Sequence, residues 1–186
     1  LADFVLKSRA PHPPEPLPMS WKPEADEIAR RHRFAEALGG EEALRRQREG
    51  GKLTIRERIG LLADPGSFQE VGKLTGQGEY APDGTLRSVR PMPYVMGLAK
   101  IDGRPVALGG EDFTVRGGTG MGDLRRKGGQ GGFVEDLAGE YRTPLVNLID
   151  GAGGSVTSAK RRGYSVFPGL HGFERCVALL AHVPVV

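Results

Sequence analysis

Asp64-Pro65-Gly66-Ser67 divides this chain into two parts with different hydrophobic periods. Pro65 pulls Asp64 out of the helical region and Gly66 accepts the turn geometry, so a helix arriving from the N-terminal side must stop here. That helix also carries a start signal. Thr54 can cap its first turn with Glu57 at the third position, and Leu53, Ile55, Ile59 and Leu62 supply apolar contacts. Upstream, Ile28, Phe34, Ala35 and Leu38 interrupt charged residues at helical spacing from Glu24 to Leu38, and Gly39-Gly40 ends the run. Glu41 to Arg48 reads as a further helix closed by Gly50-Gly51. The first third is therefore helical.

Beyond Asp64 the pattern becomes that of strands. Phe68 to Leu74 predicts a strand, Gly76 to Arg90 a polar loop with a turn at Pro82-Asp83-Gly84, and Tyr94 to Ile101 an apolar strand. Asp102-Gly103 is a hairpin signal, since both residues tolerate positive φ, and Arg104 to Leu108 returns antiparallel. A glycine-rich stretch runs from Gly109 to Gly132. Phe133 to Tyr141 reads as the end of a helix, Leu145 to Ile149 as a buried strand, Gly172 to Ala181 as a helix and Val183 to Val186 as the opening of another strand. This order of elements indicates an α/β layer arrangement.

Composition excludes several classes. The 186 residues, 38% of them apolar, suffice for one domain with a core. No run approaches the roughly 18 apolar residues of a spanning helix, so no membrane role is expected. The net charge of +3 is a small imbalance of 26 basic against 23 acidic residues. The arginines of the first third alternate with glutamates and accompany only Phe34, which reads as a solvated helical face rather than a nucleic-acid surface. Cys176 stands alone, which fits a reducing compartment. Pro11, Pro13, Pro14, Pro16 and Pro18 favour an extended arm. The opening residues lack a secretion leader, the start at Leu1 reads as a chain missing earlier residues, and Val186 falls in mid-motif.

Three stretches carry a resemblance. Gly51-Lys52-Leu53-Thr54-Ile55-Arg56-Glu57-Arg58-Ile59 with Leu61 to Phe68, Asp112-Phe113-Thr114-Val115-Arg116-Gly117-Gly118, and Leu148-Ile149-Asp150-Gly151-Ala152-Gly153-Gly154-Ser155 resemble the carboxyltransferase domain of biotin-dependent acyl-CoA carboxylases, of which the β subunits of propionyl-CoA and methylcrotonyl-CoA carboxylases are typical. In the third stretch many members read Asp-Ser-Gly-Gly-Ala-Arg, whereas this chain has one extra residue and Ser155 in place of the alanine.

The resemblance runs from about Ile28 to the last residue and implies a partial crotonase-like ββα superhelix preceded by helices. Leu1 to Lys22 carries none of it, so the prolines and the resemblance together divide the chain into a proline-rich arm over 1–23, a helical segment leading into the domain over 24–63, and an incomplete N-terminal carboxyltransferase domain over 64–186. The resemblance further implies carboxylate transfer from carboxybiotin, held on a partner domain, to the α-carbon of an acyl-CoA. The partners implied are a biotin carboxyl carrier, a biotin carboxylase subunit or domain, and further copies in a homo-oligomer, a hexamer. The location implied is cytoplasmic, or the mitochondrial matrix in a eukaryote. Two alternatives stay open: a biotin-dependent acyl-CoA decarboxylase subunit, and a non-catalytic CoA-binding or assembly subunit.

An enolate mechanism suits the sparse catalytic inventory. His12, His32, His171 and His182 are scattered, and there is no four-cysteine zinc pattern. His171 and His182 would lie roughly 16 Å apart on a straight helix, so no shared metal is expected. Removing a proton beside a thioester carbonyl puts negative charge on its oxygen, and each backbone N–H aimed there is worth about 3 to 4 kcal/mol. Gly153, Gly154 and Ser155, following the strand, are the catalytic candidates; the plain alternative is a strand-to-helix turn with no ligand. Gly117 to Gly122 can form an anion nest but has neither the nucleotide P-loop lysine nor dinucleotide spacing. Arg116, Gly117, Gly118, Gly120, Arg125, Arg126 and Lys127 are instead the candidates for the phosphates of coenzyme A, against the alternative of a solvated basic turn.

Overall fold

The computed structural model describes residues 20–118, 125–127, 132–151, 156–163 and 171–186. Three helices come first: α1 (Lys22–Glu36), α2 (Glu41–Glu49) and α3 (Ile55–Leu62). The strands β1 (Gln69–Val71), β2 (Gly76–Tyr80), β3 (Leu86–Pro91), β4 (Tyr94–Ile101) and β5 (Arg104–Glu111) follow. Then come α4 (Val134–Tyr141), β6 (Leu145–Leu148), α5 (Val156–Arg162) and α6 (His171–Leu180). The arm expected over 1–23 lies, up to residue 19, outside the described residues.

The expected capping box is present. Thr54 accepts from the Glu57 amide, and the Thr54 amide donates to the Glu57 carboxylate at 2.7 Å. Ile55 and Ile59 are buried, each contributing about 1.5–3 kcal/mol on leaving water. Leu53 and Leu62 are more exposed than their spacing predicted, at 46% and 36%. Asp64 does more than end the helix: its carboxylate accepts from the amides of Asp102 and Gly103 at 2.9 and 2.8 Å. Those two residues have φ of 49° and 75°, as the hairpin requires. The break after α3 and the β4–β5 turn are thereby tied together.

The main sheet runs β1-β4-β5-β6, with β5 and β6 parallel and the other pairs antiparallel. The β4 side chains alternate across it. Val95 and Ala99 pack with Val106, Leu108, Ile55, Ile59 and Leu38 on one face. Tyr94 and Met96 pack with Ala107, Val134, Ala138, Leu145 and Leu179 on the other. This is the expected α/β layering, with α3 on one side and α4 with α6 on the other. Val185 adds a parallel bridge to Leu145, the strand opening expected at the end of the sequence.

Several expectations need correction. Residues 76–90 form a second sheet, β2 paired with β3, rather than a loop, although the turn at Pro82-Asp83-Gly84 stands. Leu86 and Val89 of β3 are buried, and α1 packs against that strand, so tertiary contact supplies what the polar sequence of β2 hides. The strand expected from Phe68 to Leu74 contracts to β1. Phe133 precedes a whole helix rather than closing one, its amide donating to Asp136 at 3.2 Å. In β6 only Leu145 is buried, and Ile149 beyond it is 70% exposed. α5 was given no range, and entered only as the helix implied by a strand-to-helix turn. The basic face of the first third is solvated around Arg45, which pairs with Glu42 and Glu49. Arg30, Arg31 and Arg56 instead reach the Leu86 carbonyl, Tyr80 and Glu70, fastening the helices to the strands.

Candidate functional site

The Asp112–Gly118 segment leaves β5 as a tight turn, and each residue type has a reason there. Asp112 is 1% exposed, and one carboxylate oxygen accepts from both the amide and the hydroxyl of Thr114. The Thr114 hydroxyl oxygen accepts from the Gly39 amide at 3.0 Å, joining the turn to the end of α1. Val115 is buried. Arg116, Gly117 and Gly118 all take positive φ, 53°, 64° and 66°. A Cβ on Gly118 would lie 2.7 Å from the Asp150 carbonyl oxygen and 3.2 Å from Gly151 Cα, so this turn rests directly on the exit of β6.

The three stretches singled out in sequence meet at this point. Lys52 Nζ lies 3.1 Å from Asp150 Oδ1 and 4.7 Å from the centre of the Phe113 ring. The pair is half-exposed and worth at most about 1 kcal/mol, so its significance is placement. The Asp150 amide donates to Glu111 Oε2 at 2.8 Å, anchoring the strand exit to the end of β5. Two clefts flank the junction. Arg46, Gln47, Phe113, Arg116 and Gly117 are among the residues lining one of about 410 Å³. Lys52, Leu53, Arg58, Ile149 and Asp150 are among those lining the other, of about 360 Å³. Cations combined with turn amides make an environment for anionic groups.

Of the expected phosphate contacts, Arg116, Gly117 and Gly118 stand at this junction, and Gly120 lies outside the described residues. Arg125, Arg126 and Lys127 are not alike. Arg126 is exposed. Arg125 is largely buried, pairing with Glu135 at 3.2 Å and lying over the Tyr94 ring at 4.4 Å. Lys127 is 4% exposed, and burial pushes its pKa down to about 8, with Arg56 acting in the same sense and Glu70 and Asp112 opposing. Burial likewise raises the Asp112 carboxyl, against its Thr114 bonds and the charges of Arg56 and Lys127. The catalytic candidates Gly153, Gly154 and Ser155 lie outside the described residues, and Asp150-Gly151 leads into them. Among the described residues no group of three His, Cys, Asp or Glu side chains could hold a metal.

Lys52, Arg46 and Arg58 were missed as site residues. Their charges were read as part of the solvated basic face of the first third, and what makes them candidates is tertiary proximity to 113–117 and 149–150.

A family model for the carboxyl transferase domain matches residues 46–166, and the chain belongs to this family. The mitochondrial propionyl-CoA carboxylase β chain of Homo sapiens is 34% identical over 134 residues, covering 70% of this chain and 24% of that protein. The methylmalonyl-CoA decarboxylase α subunit of Propionigenium modestum is 33% identical over 126 residues, covering 65% of this chain and 23% of that one. The crystal structure of the transcarboxylase 12S hexamer, with methylmalonyl-CoA and methylmalonic acid bound, superposes with a TM-score of 0.63 at 27% identity, over 88% of this chain and 30% of that chain. The fold is the crotonase-like one of these carboxyltransferase domains. The chain spans about a quarter of the length of the relatives it matches.

Proposed function

We propose that this chain supplies the acyl-CoA side of a biotin-dependent carboxyltransferase, which moves carboxylate to the α-carbon of an acyl-CoA. The observation that carries the reading is the meeting of Lys52, Phe113 and Asp150 at the root of the glycine turn, beside Arg116 and Gly117. In this reading the backbone N–H groups of Gly153, Gly154 and Ser155 face the thioester oxygen and hold the charge that develops there when the α-proton leaves. Arg116, Gly117, Gly118, Gly120 and the exposed Arg126 face the coenzyme A phosphates. Arg125 and Lys127 support that segment from inside.

Biotin, when bound, supplies the carboxylate, and no described residue is assigned to it; we place that side on a partner domain served by a biotin carboxyl carrier and a biotin carboxylase. Homo-hexameric assembly is supported by the likeness to the 12S hexamer. A cytoplasmic site, or the mitochondrial matrix in a eukaryote, is part of the same reading; only its mitochondrial half has support, from the naming of the human relative. The arm over 1–23, the helical segment over 24–63 and the domain over 64–186 are part of the same reading. A second reading, decarboxylation of an acyl-CoA with the same half-site, is supported by the likeness to the methylmalonyl-CoA decarboxylase subunit.

Gly154→Val and Ser155→Ala in the intact enzyme test the amide assignment. In this reading a side chain at Gly154 would crowd the acyl group, so turnover should fall by about 10²–10³, the effect of losing one oxyanion donor. Ser155→Ala keeps its N–H and should stay within a few-fold. Near-normal turnover in folded Gly154→Val, or equal losses in both variants, would overturn the assignment.

A further inference from the structure

We propose that the Tyr94 hydroxyl is a positioning group of the acyl-CoA site, fixing the glycine-rich segment through Arg125 and the strand that runs into the glycine turn through Asn147. The inference rests on the carboxyltransferase reading above. Tyr94 begins β4 and is fully buried on the α4 face of the sheet. Its ring reaches across β5, and the space is made by Gly109, where a Cβ would lie 2.4 Å from the hydroxyl oxygen. The hydroxyl donates to Asn147 Oδ1 at 2.9 Å and accepts from Arg125 Nη2 at 2.9 Å, using both its functions. Asn147 lies in β6, six positions before Gly153. Arg125 belongs to the glycine-rich stretch, and the same Nη2 also donates to Glu135 of α4 at 3.2 Å.

One hydroxyl is thus bonded to both segments that the site uses. Filling this volume alone would need neither the hydroxyl nor a charged pair. A phenylalanine packed against apolar neighbours would avoid taking Arg125 and Glu135 out of water, and buried ion pairs seldom gain net stability over apolar replacements. Arg125 Nε and Glu135 Oε2 are buried without a partner among the described residues, which raises that cost further. What the polar arrangement provides is a fixed distance and direction between Arg125 and strand β6, the property a reaction sensitive to displacements of about 1 Å requires.

The test compares Tyr94→Phe, Asn147→Leu and the double variant in the intact enzyme with its partner subunits. Acyl-CoA affinity should change less than threefold while kcat falls by roughly 10–100-fold. The double variant should be no worse than either single one, because each removes the same link. Amide hydrogen exchange should accelerate at 125–127 and 147–151 together and stay unchanged in α1 to α3. Turnover within twofold of the unsubstituted enzyme, additive losses, or exchange that is unchanged or uniformly faster would each overturn the proposal. Should Tyr94→Phe fail to fold, Asn147→Leu alone carries the turnover, affinity and exchange measurements, with faster exchange expected at 147–151. If the unsubstituted enzyme shows no carboxyl transfer, the functional reading fails by itself, and hydrogen exchange still decides whether Tyr94 couples the two segments.

Discussion

Replacing Gly118 with Ala is the smallest change that strikes the junction of the three stretches. The added Cβ would stand 2.7 Å from the Asp150 carbonyl oxygen, where ordinary contact begins at 3.4 Å, so the turn and the β6 exit must separate by about 0.7 Å. Neither neighbour can give way by a side-chain rotation, because both contacting atoms are backbone. The residue must also keep φ near 66°, which for a residue with Cβ costs about 1–2 kcal/mol. Two readouts follow. Denaturant unfolding should show a loss of about 1–2 kcal/mol. The separation approaches the 1 Å scale at which misplacement can cost about 10²-fold, so kcat/KM for the acyl-CoA should fall by about 10–100-fold in the folded enzyme. Turnover within twofold, with the stability loss present, would refute the idea that this backbone contact sets the site's geometry.

Thr54→Ala should lower stability by about 1 kcal/mol in urea unfolding at pH 7, the worth of an N-cap. The Thr54 amide, Arg48 and the Thr54 hydroxyl hold the Glu57 pKa down to about 2, so the stability it contributes is complete above pH 4.5 and lost as pH falls through 2; Glu57→Gln should abolish that acid loss and no other. Lys127, depressed from 10.5 to about 8, binds fewer protons folded than unfolded between those values. Stability should therefore rise with pH across the window by an amount on the order of 3 kcal/mol, and Lys127→Met should lack the rise. Arg126→Gln should weaken acyl-CoA binding and flatten its salt dependence with stability unchanged, whereas Arg125→Gln should cost about 3–5 kcal/mol of stability by leaving Glu135 buried and unpaired. Isothermal titration and thermal unfolding separate the two.

What could be read from sequence was local. The Asp102-Gly103 hairpin, the Thr54 cap and the Asp64-Pro65 break are each decided within a few residues, and the structure has all three. The β2–β3 hairpin could not be read because Gly-Gln-Gly-Glu-Tyr has no strand alternation, and its partner strand is covered by α1, about 50 residues earlier. Val156–Arg162 carries no apolar stripe, so α5 left no periodic trace. The glycine-rich candidates were visible as composition, but the inward orientation of Arg125 and Lys127 was not. Charge is written in the sequence and burial is not, and the groups around them, Tyr94, Glu135, Glu70 and Asp112, come from three separate elements and the turn that follows β5.

The most direct test of the central claim is transfer of labelled carboxylate from a carboxylated biotin carrier to an acyl-CoA, with propionyl-CoA as the first probe, by the purified intact enzyme. Label should appear on the α-carbon of the acyl group, depend on both the carrier and the acyl-CoA, and fall at least tenfold in Gly118→Ala. Acyl-CoA binding of ordinary affinity with no transfer of label in either direction would contradict the carboxyltransferase reading and leave a CoA-binding module in its place.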